Sequence, residues 1–490
     1  MWWAVVLALA PAAADVSEQA GIPPIPGLTG RDTRTPEEQR RARYLRAGLE
    51  TSALILMQSL YYWANPSAQS RDWDLKFDWS SWQRKLDLNA VRFDGNRLAT
   101  NALLHPLSGT AYYQASRDNG LSLAQSYLSA FVASFFWEYM VEFREAPSLN
   151  DIIVTPAAGV AVGEPSLRFS HLLAARPGVA SKIGSWVLSP IANINDLLMG
   201  RNPSMAPPPA YARLWAEVGG ASTAVDRVGR RQELSVAAGG ALVSHPGYRR
   251  PGRGSEGVAP GSWSALAARA LVDRAAGPSG VDFHASTLFI GRYFKHYDPG
   301  GGAGLLLGLG GEFGIDARDL GPNWDRVGSV GLLGPKIELT VDRPWLGLAL
   351  SLSAAYSFAM IQSLAYARHG EALSGAVIRT SLRGAGYYYG HGLTSGVHLA
   401  MRLLFLEVAL TGDLGLFRSI QGRDRFQERL EADFSLHDSR TSSSALVSVP
   451  LARGVRLAGR LEKERRRSQL LNMTATAGET RLGLLLGFSL

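Results

Sequence analysis

The feature that most constrains this chain is a strict two-residue alternation in its C-terminal half. From Leu346 to Phe358 the even positions are Leu346, Leu348, Leu350, Leu352, Ala354, Tyr356 and Phe358; between them stand Gly347, Ala349, Ser351, Ser353, Ala355 and Ser357. A helix would rotate each apolar residue by 100° from the last, so this set cannot form one helix face. It predicts a β-strand with one apolar side and one small or polar side. The pattern returns. Leu404, Leu406, Val408, Leu410, Leu414 and Leu416 alternate with Phe405, Glu407, Ala409, Thr411 and Asp413, and Leu430, Ala432, Phe434 and Leu436 with Glu431, Asp433, Ser435 and His437. Val455, Leu457 and Leu461 alternate with Arg456, Ala458, Arg460 and Glu462. At the end, Leu482, Leu484, Leu486, Phe488 and Leu490 oppose Arg481, Gly483, Gly487 and Ser489, with Leu485 the one exception.

Strands of soluble sandwiches average about 5–6 residues. The longer runs here have ten or more, and a tilted crossing of the hydrocarbon layer needs about 9–11. Read as one barrel, residues 232–490 at about 20 per strand and connection give about twelve strands. Closure is required, because an open sheet edge in lipid leaves its backbone groups unsatisfied. The fold expected is therefore α+β, an N-terminal helical domain followed by an antiparallel transmembrane β-barrel. Glu407, Glu431, Asp433, Arg456, Arg460 and Arg481 then face the lumen, where a network that plugs the barrel is expected over a water path. The last strand resembles the closing strand of bacterial outer-membrane barrels. That resemblance implies two partners: outer-membrane lipid, and the insertion machinery that recognises such a strand.

Composition narrows the chemistry. The 490 residues contain no cysteine, which removes disulfides, thiolate nucleophiles, Cys-ligated zinc and iron–sulfur clusters. Fifty Lys and Arg against 42 Asp and Glu give +8, too small and diffuse an excess to suggest nucleic acid. Residues 1–14, MWWAVVLALAPAAA, read as a secretory signal peptide ending on small residues at Ala12 and Ala14. Residues 15–86 read as a Pro/Gly-rich tether, Gly21 to Gly30, followed by an amphipathic helix from Pro36 to about Tyr62. That helix is basic first (Arg40, Arg41, Arg43, Arg46) and apolar later (Leu54, Ile55, Leu56, Leu60). Either an interfacial helix on anionic lipid or an ordinary docked helix fits it. Residues 202–231, with Pro203 and Pro207 to Pro209, read as a linker into the barrel.

Residues 87–201 read as a helical domain. Leu121 to Phe143 predicts one long helix, about 35 Å at ~1.5 Å per residue, with Glu138, Glu142 and Glu145 on one stripe near its end. Ser148 with Asp151 predicts a capping box, and Thr155-Pro156 a second helix start. Gly159 and Gly163 predict a small-residue stripe for close helix approach, and Pro165 an end to the run.

Several blocks in this region carry a family resemblance: Phe93-Asp94-Gly95-Asn96, His105-Pro106-Leu107-Ser108-Gly109, Tyr112-Tyr113, Trp137-Glu138-Tyr139, Pro147 to Asp151, Gly163-Glu164 and Arg168. In this order they resemble domain-of-unknown-function family 3943, a group of uncharacterised bacterial envelope proteins, over roughly Leu86 to Arg201. Pro165 and Asp196 depart from the family pattern. The resemblance implies an exported protein of the Gram-negative cell envelope with this helical region ahead of an outer-membrane barrel. It implies no activity, cofactor or catalytic residue.

The candidate site residues are His105, Glu138, Glu142, Asp151 and Glu164, gathered in one polar pocket. A His with several carboxylates suits a divalent metal or an acid/base pair acting on a lipid headgroup. The structural alternative is a polar network, with Asp151 capping a helix and Glu138 and Glu142 paired to Arg117, Arg144 or Arg168. Ser170-His171 and His437-Asp438-Ser439 have the letters of a hydrolase without its surroundings. The leading functional expectation is a structural, binding or transport-linked envelope barrel. The alternatives are a lipid-active or metal-dependent enzyme using the His/Glu cluster, and an open pore.

Overall fold

A computed structural model describes residues 35–65, 75–202, 208–321, 324–369, 386–420 and 435–489. The signal peptide and tether readings, Pro203, Pro207 and the stretch Leu430 to Phe434 lie outside the described residues. The chain divides into two compact units, one ending at Pro208 and one beginning at Pro209.

The first unit is helical. Helix α1 (Pro36–Ala64) opens with a capping box between Thr35 and Glu38 and has Pro36 in its first turn. It buries Ala47, Gly48, Thr51 and Tyr62 and leaves Leu45, Leu49, Leu56 and Leu60 exposed. Helix α2 (Trp79–Leu86) follows, then α3 (His105–Asp118) and α4 (Leu123–Phe136). The long Leu121–Phe143 helix of the sequence reading is shorter: Ser122 caps α4, and its last turn widens into a π-turn at Trp137–Val141.

Helix α5 (Leu149–Ala174) runs without a break through Pro156 and Pro165. This corrects the expectation of a fresh start at Thr155 and an end at Pro165. A helical proline costs about 3 kcal/mol by removing one N–H bond and crowding the preceding turn. Close packing against α3 holds the helix together across both. A Cβ on Gly109 of α3 would stand 1.8 Å from Thr155 O, and one on Gly159 2.6 Å from Gly109 O. The two helices therefore cross backbone to backbone, as the Gly159/Gly163 stripe predicts. Helices α6 (Val179–Leu188) and α7 (Pro190–Met199) complete the unit. Among the described residues no helix is long and apolar enough to cross a membrane.

The second unit is a closed antiparallel barrel. Its strands are β1 (Tyr211–Val225), β2 (Gly229–Val243), β3 (Gly252–Val258), β4 (Trp263–Asp273), β5 (Gly277–Asp298), β6 (Gly301–Asp319) and β7 (Trp324–Asp342). After them come β8 (Leu346–Gln362), β9 (Tyr387–Leu403), β10 (Leu406–Ser419), β11 (Leu436–Ala452), β12 (Val455–Leu470) and β13 (Met473–Ser489). The sheet runs β5-β4-β2-β1-β13-β12-β11-β10-β9-β8-β7-β6, and pairing of β5 with β6 closes it. Twelve strands form the ring. The short β3 pairs with the second half of β5, on the edge that β4 uses along its first half.

The barrel begins at Tyr211, inside the stretch read as linker and ahead of Gln232. The reason is chemical: the outward positions of β1 include Gly220, Ser222 and Ala224, so no row of large apolar residues announces it. Its backbone pairing with β2 and β13 is nevertheless continuous.

Side-chain direction follows the pleat. Leu482 and Leu484 are 63% and 61% exposed, while the neighbouring Arg481 and Leu485 are 4% and 2%. Exposed apolar residues recur around the ring, among them Val236, Val281, Leu309, Leu333, Val397, Leu410 and Val447. So continuous an apolar exterior has no place in water and forms the lipid-facing surface of a transmembrane barrel. One strand is phased differently from expectation. Leu436 is buried and His437 exposed, because β11 begins at Leu436 and points it inward with Asp438 and Arg440.

Inward side chains occupy the lumen in layers. At the end where β8 leaves the membrane, helix α8 (Leu364–His369) buries Leu364 and Ala365 against inward residues Val225, Val327, Tyr388, Phe417, Leu436 and Leu470. Below it lies an ionic layer. Arg318 pairs with Asp282 at 2.5 Å, Glu464 at 3.0 Å and Glu479 at 3.3 Å, and Arg481 with Glu462 and Glu479 at 2.7 Å each. Of the lumen charges expected from the sequence, Arg456 pairs with Glu407 and Arg460 with Glu217. A cavity of about 410 Å³ follows, lined by Trp215, His284, Glu312, Thr394 and Arg440 among others. At the opposite end Tyr248, Trp263, Tyr293 and Tyr297 pack in one buried cluster. There Tyr248 Oη and Trp263 Nε1 both donate to Glu338.

Candidate functional site

The polar core of the helical unit is built where two π-turns meet a capped helix. The first π-turn, Thr100–Leu104, runs directly into His105 at the start of α3; the second, Trp137–Val141, contains Glu138. Such turns widen the helix by one residue and are often found at functional sites. Between them the chain at Arg92 pairs in parallel with Ser148, and Leu149 N donates to Arg92 O at 2.8 Å. This short pairing sets Asp94 beside the first turn of α5.

Ser148 caps α5 by accepting from Asp151 N. The reciprocal half of the expected capping box is different. Ser148 N donates to Glu138 Oε2 at 2.7 Å, so Glu138 serves the cap and the Asp151 carboxylate is released from it. Asp151 Oδ1 then stands 3.4 Å from His105 Nε2. One ligand atom from each of Asp94, His105 and Asp151 lies within 4.8 Å of the others. His105 Nε2 is buried and makes no hydrogen bond.

Amides hold the two carboxylates. Asn101 Nδ2 donates to Asp94 Oδ1 at 2.6 Å, and Asn96 Nδ2 to Asp94 Oδ2. Asn150 Nδ2 bridges both acids, at 2.9 Å to Asp151 Oδ1 and 3.4 Å to Asp94 Oδ1, while Asn150 Oδ1 accepts from Asp94 N.

Electrostatics follow from burial and from like charge. Burial, then Asp94, Glu138 and Glu142, push the Asp151 carboxyl well above the usual carboxylate range. Glu138 is raised in the same way by burial and Glu142, despite its bond from Ser148 N. Burial and Glu145 push Glu142 up to about 8, although Trp137 Nε1 donates to it at 2.8 Å. Burial lowers His105, so its imidazole is neutral at pH 7. Lys85 donates to the carbonyls of Glu138 and Glu142 at 3.0 Å each, and burial lowers it to about 8.

The structure thus gathers His105, Asp151, Glu138 and Glu142 and separates Glu164 from them. Thirteen residues further along α5, roughly 20 Å at ~1.5 Å per residue, Glu164 belongs to a different cluster. Arg117 Nε and Arg168 Nε reach it at 2.8 and 2.9 Å, and Tyr113 Oη donates at 2.6 Å. Burial alone would raise this carboxyl; the two guanidinium groups hold it down to about 2. Arg117 and Arg168 therefore serve Glu164 and not Glu138 or Glu142. A third cluster escaped the sequence reading: Asp118 meets His171 at 3.1 Å, Asn195 at 2.9 Å and Arg201. His171 is thereby kept from Ser170, whose Oγ donates to Ser185 O. In the barrel, His437 and Asp438 face opposite sides of the sheet. Asp94 was also missed as a site residue, because a lone Asp in a loop has no periodicity to reveal it.

A neutral imidazole beside two amide-oriented carboxylates can accept a cation or relay a proton. Residues 90–191 match the family model described as "Domain of unknown function (DUF3943)", over the stretch whose sequence blocks carry that resemblance. No curated protein matches the chain. Among solved structures, the chain is similar to the translocator domain of the autotransporter NalP from Neisseria meningitidis, at 11% identity over 56% of this chain and 88% of that one, with a TM-score of 0.20. It is also similar to the outer membrane channel DcaP of Acinetobacter baumannii, at 7% identity over 57% of this chain and 97% of that one, with a TM-score of 0.25.

Proposed function

We propose that this is an outer-membrane protein whose barrel is a closed, non-conducting anchor, and whose helical domain carries the binding chemistry. The observation that supports it is the lumen's contents, with α8 packed at one end, Arg318 bonded from wall to wall, and a cluster of aromatic residues at the other end, on either side of a cavity of about 410 Å³. Two-residue turns at Pro299-Gly300 and Leu404-Phe405 join strands at the end where β1 enters and β13 leaves, whereas β8 and β10 end, and β9 and β11 begin, at the other, with 24 and 16 residues of chain between them. Outer-membrane barrels keep short turns in the periplasm and long loops outside, so the chain enters from the periplasmic rim. The test is conductance of the purified full chain in planar bilayers. Baseline current at all voltages is expected, and stable stepwise channels would overturn the reading.

A second reading, a lipid-active enzyme, is favoured by the neutral His105 beside Asp151 and the raised Glu142. Its test is turnover of phospholipid in mixed micelles, which His105→Ala and Glu142→Gln must abolish.

A further inference from the structure

We propose that Asp94, His105 and Asp151 bind one divalent transition-metal ion of the zinc–manganese class. The argument starts from donor chemistry. One imidazole nitrogen with two carboxylate oxygens suits zinc or manganese, and no thiolate is present to favour softer ions. Ligands about 2.0–2.1 Å from a tetrahedral centre stand roughly 3.3 Å apart. His105 Nε2 and Asp151 Oδ1 are 3.4 Å apart, which fits one edge of such a shell.

The imidazole supplies an independent observation. A buried nitrogen without a hydrogen bond costs about 1–3 kcal/mol. His105 Nε2 is such an atom, and it faces Asp151 without the alignment of a hydrogen bond. A cation between them would satisfy the nitrogen and both acids together.

The surroundings are those of a prepared site. Metal ligands are commonly oriented by a second layer of hydrogen bonds. Here Asn101 and Asn96 fix Asp94, and Asn150 holds Asp94 and Asp151 at once. The His105 side chain is 16% exposed, so the cluster lies close to the surface although Nε2 itself is buried. This inference does not depend on the barrel being closed.

The test uses the full chain in detergent, stripped with a chelator and titrated with Zn²⁺ or Mn²⁺ alone. Wild type is expected to take up one equivalent, and the thermal midpoint of the helical signal to rise with it. His105→Ala and the near-isosteric Asp151→Asn and Asp94→Asn should each weaken binding at least about tenfold, and Asn150→Ala roughly tenfold. His171→Ala, in the separate Asp118 cluster, should bind as wild type does. Far-UV circular dichroism of the apo variants separates lost ligands from lost fold, and the isosteric Asp→Asn pair keeps the comparison valid if His105→Ala unfolds. No stoichiometric uptake by wild type, or equal uptake by folded Asp94→Asn and Asp151→Asn, would refute the site.

Discussion

Arg318 Nη2 on β6 and Glu464 Oε1 on β12 are 3.0 Å apart although their strands stand six places apart around a ring of twelve. They are therefore on opposite walls, and a single pair of side chains spans the lumen. The same guanidinium also holds Asp282 and Glu479, so one arginine ties three acids from three strands.

Arg318→Ala removes one cation of that layer and leaves Asp282, Glu464 and Glu479 to Arg269, Arg440 and Arg481 alone. Breaking a buried pair by removing one partner costs about 3–5 kcal/mol. The expected outcome is a markedly lower unfolding temperature of the barrel in detergent, read by loss of its β circular dichroism signal. Arg465→Ala, on the exposed side of β12, serves as the comparison and should change stability by less than about 0.5 kcal/mol. Equal midpoints for the two variants would mean that the ionic layer contributes nothing net.

Gly109→Ala addresses the helix crossing. Its methyl would lie 1.8 Å from the Thr155 carbonyl oxygen, and because that atom is backbone the helices must separate. Overpacking of this kind costs about 1–3 kcal/mol. Helical unfolding should move to lower denaturant while the barrel transition stays in place. Gly95→Ala, where the added methyl meets nothing within 4 Å, should leave both unchanged.

Acid should destabilise the helical unit through Glu164. Burial raises this carboxyl, but Arg117 and Arg168 lower it from 4.5 in the unfolded chain to about 2 in the fold. A depressed carboxyl contributes stability that is complete above pH 4.5 and lost as pH falls toward 2, here about 3 kcal/mol. A denaturation series between pH 6 and pH 2 should show that loss. Glu164→Gln should flatten it while starting from lower stability, since Arg117 is left buried without its anion.

Glu138 and Glu164 should answer the same substitution in opposite ways. Burial and Glu142 hold Glu138 toward its neutral form, in which a glutamine can still accept from Ser148 N. Glu138→Gln is therefore expected to change stability by less than about 1 kcal/mol at pH 7, against several for Glu164→Gln. Thermal melts of the two variants side by side decide it, and a large loss in Glu138→Gln would place an ionised carboxylate at that position.

Much of the barrel was legible in the sequence because lipid and lumen impose a two-residue period over runs of ten or more residues, longer than strands of soluble sandwiches. The outward leucines of β8, β10, β12 and β13 and the inward Leu485 could be read directly. β1 could not, since its outward residues are small and only pairing with β2 and β13 defines it. Leu436 was phased to the wrong side because an apolar plug inverts the usual preference at that end of the lumen. In the helical unit the Gly159 crossing was visible as spacing, while the two prolines misled because the packing of α5 on α3 that carries the helix past them exists only in the folded unit.

The candidate site divides along the same line. Sequence by itself marked His105, Glu138 and Asp151 as ionisable groups in apolar surroundings, and the alternation fixed a membrane barrel, since both follow from periodicity along one chain. Which acids meet which bases was decided only by tertiary structure. Glu164 went to two arginines, Glu138 took over the cap of α5, and Asp94 arrived from a distant loop. Charge pairing depends on distances between segments far apart in the chain, and no local pattern encodes those.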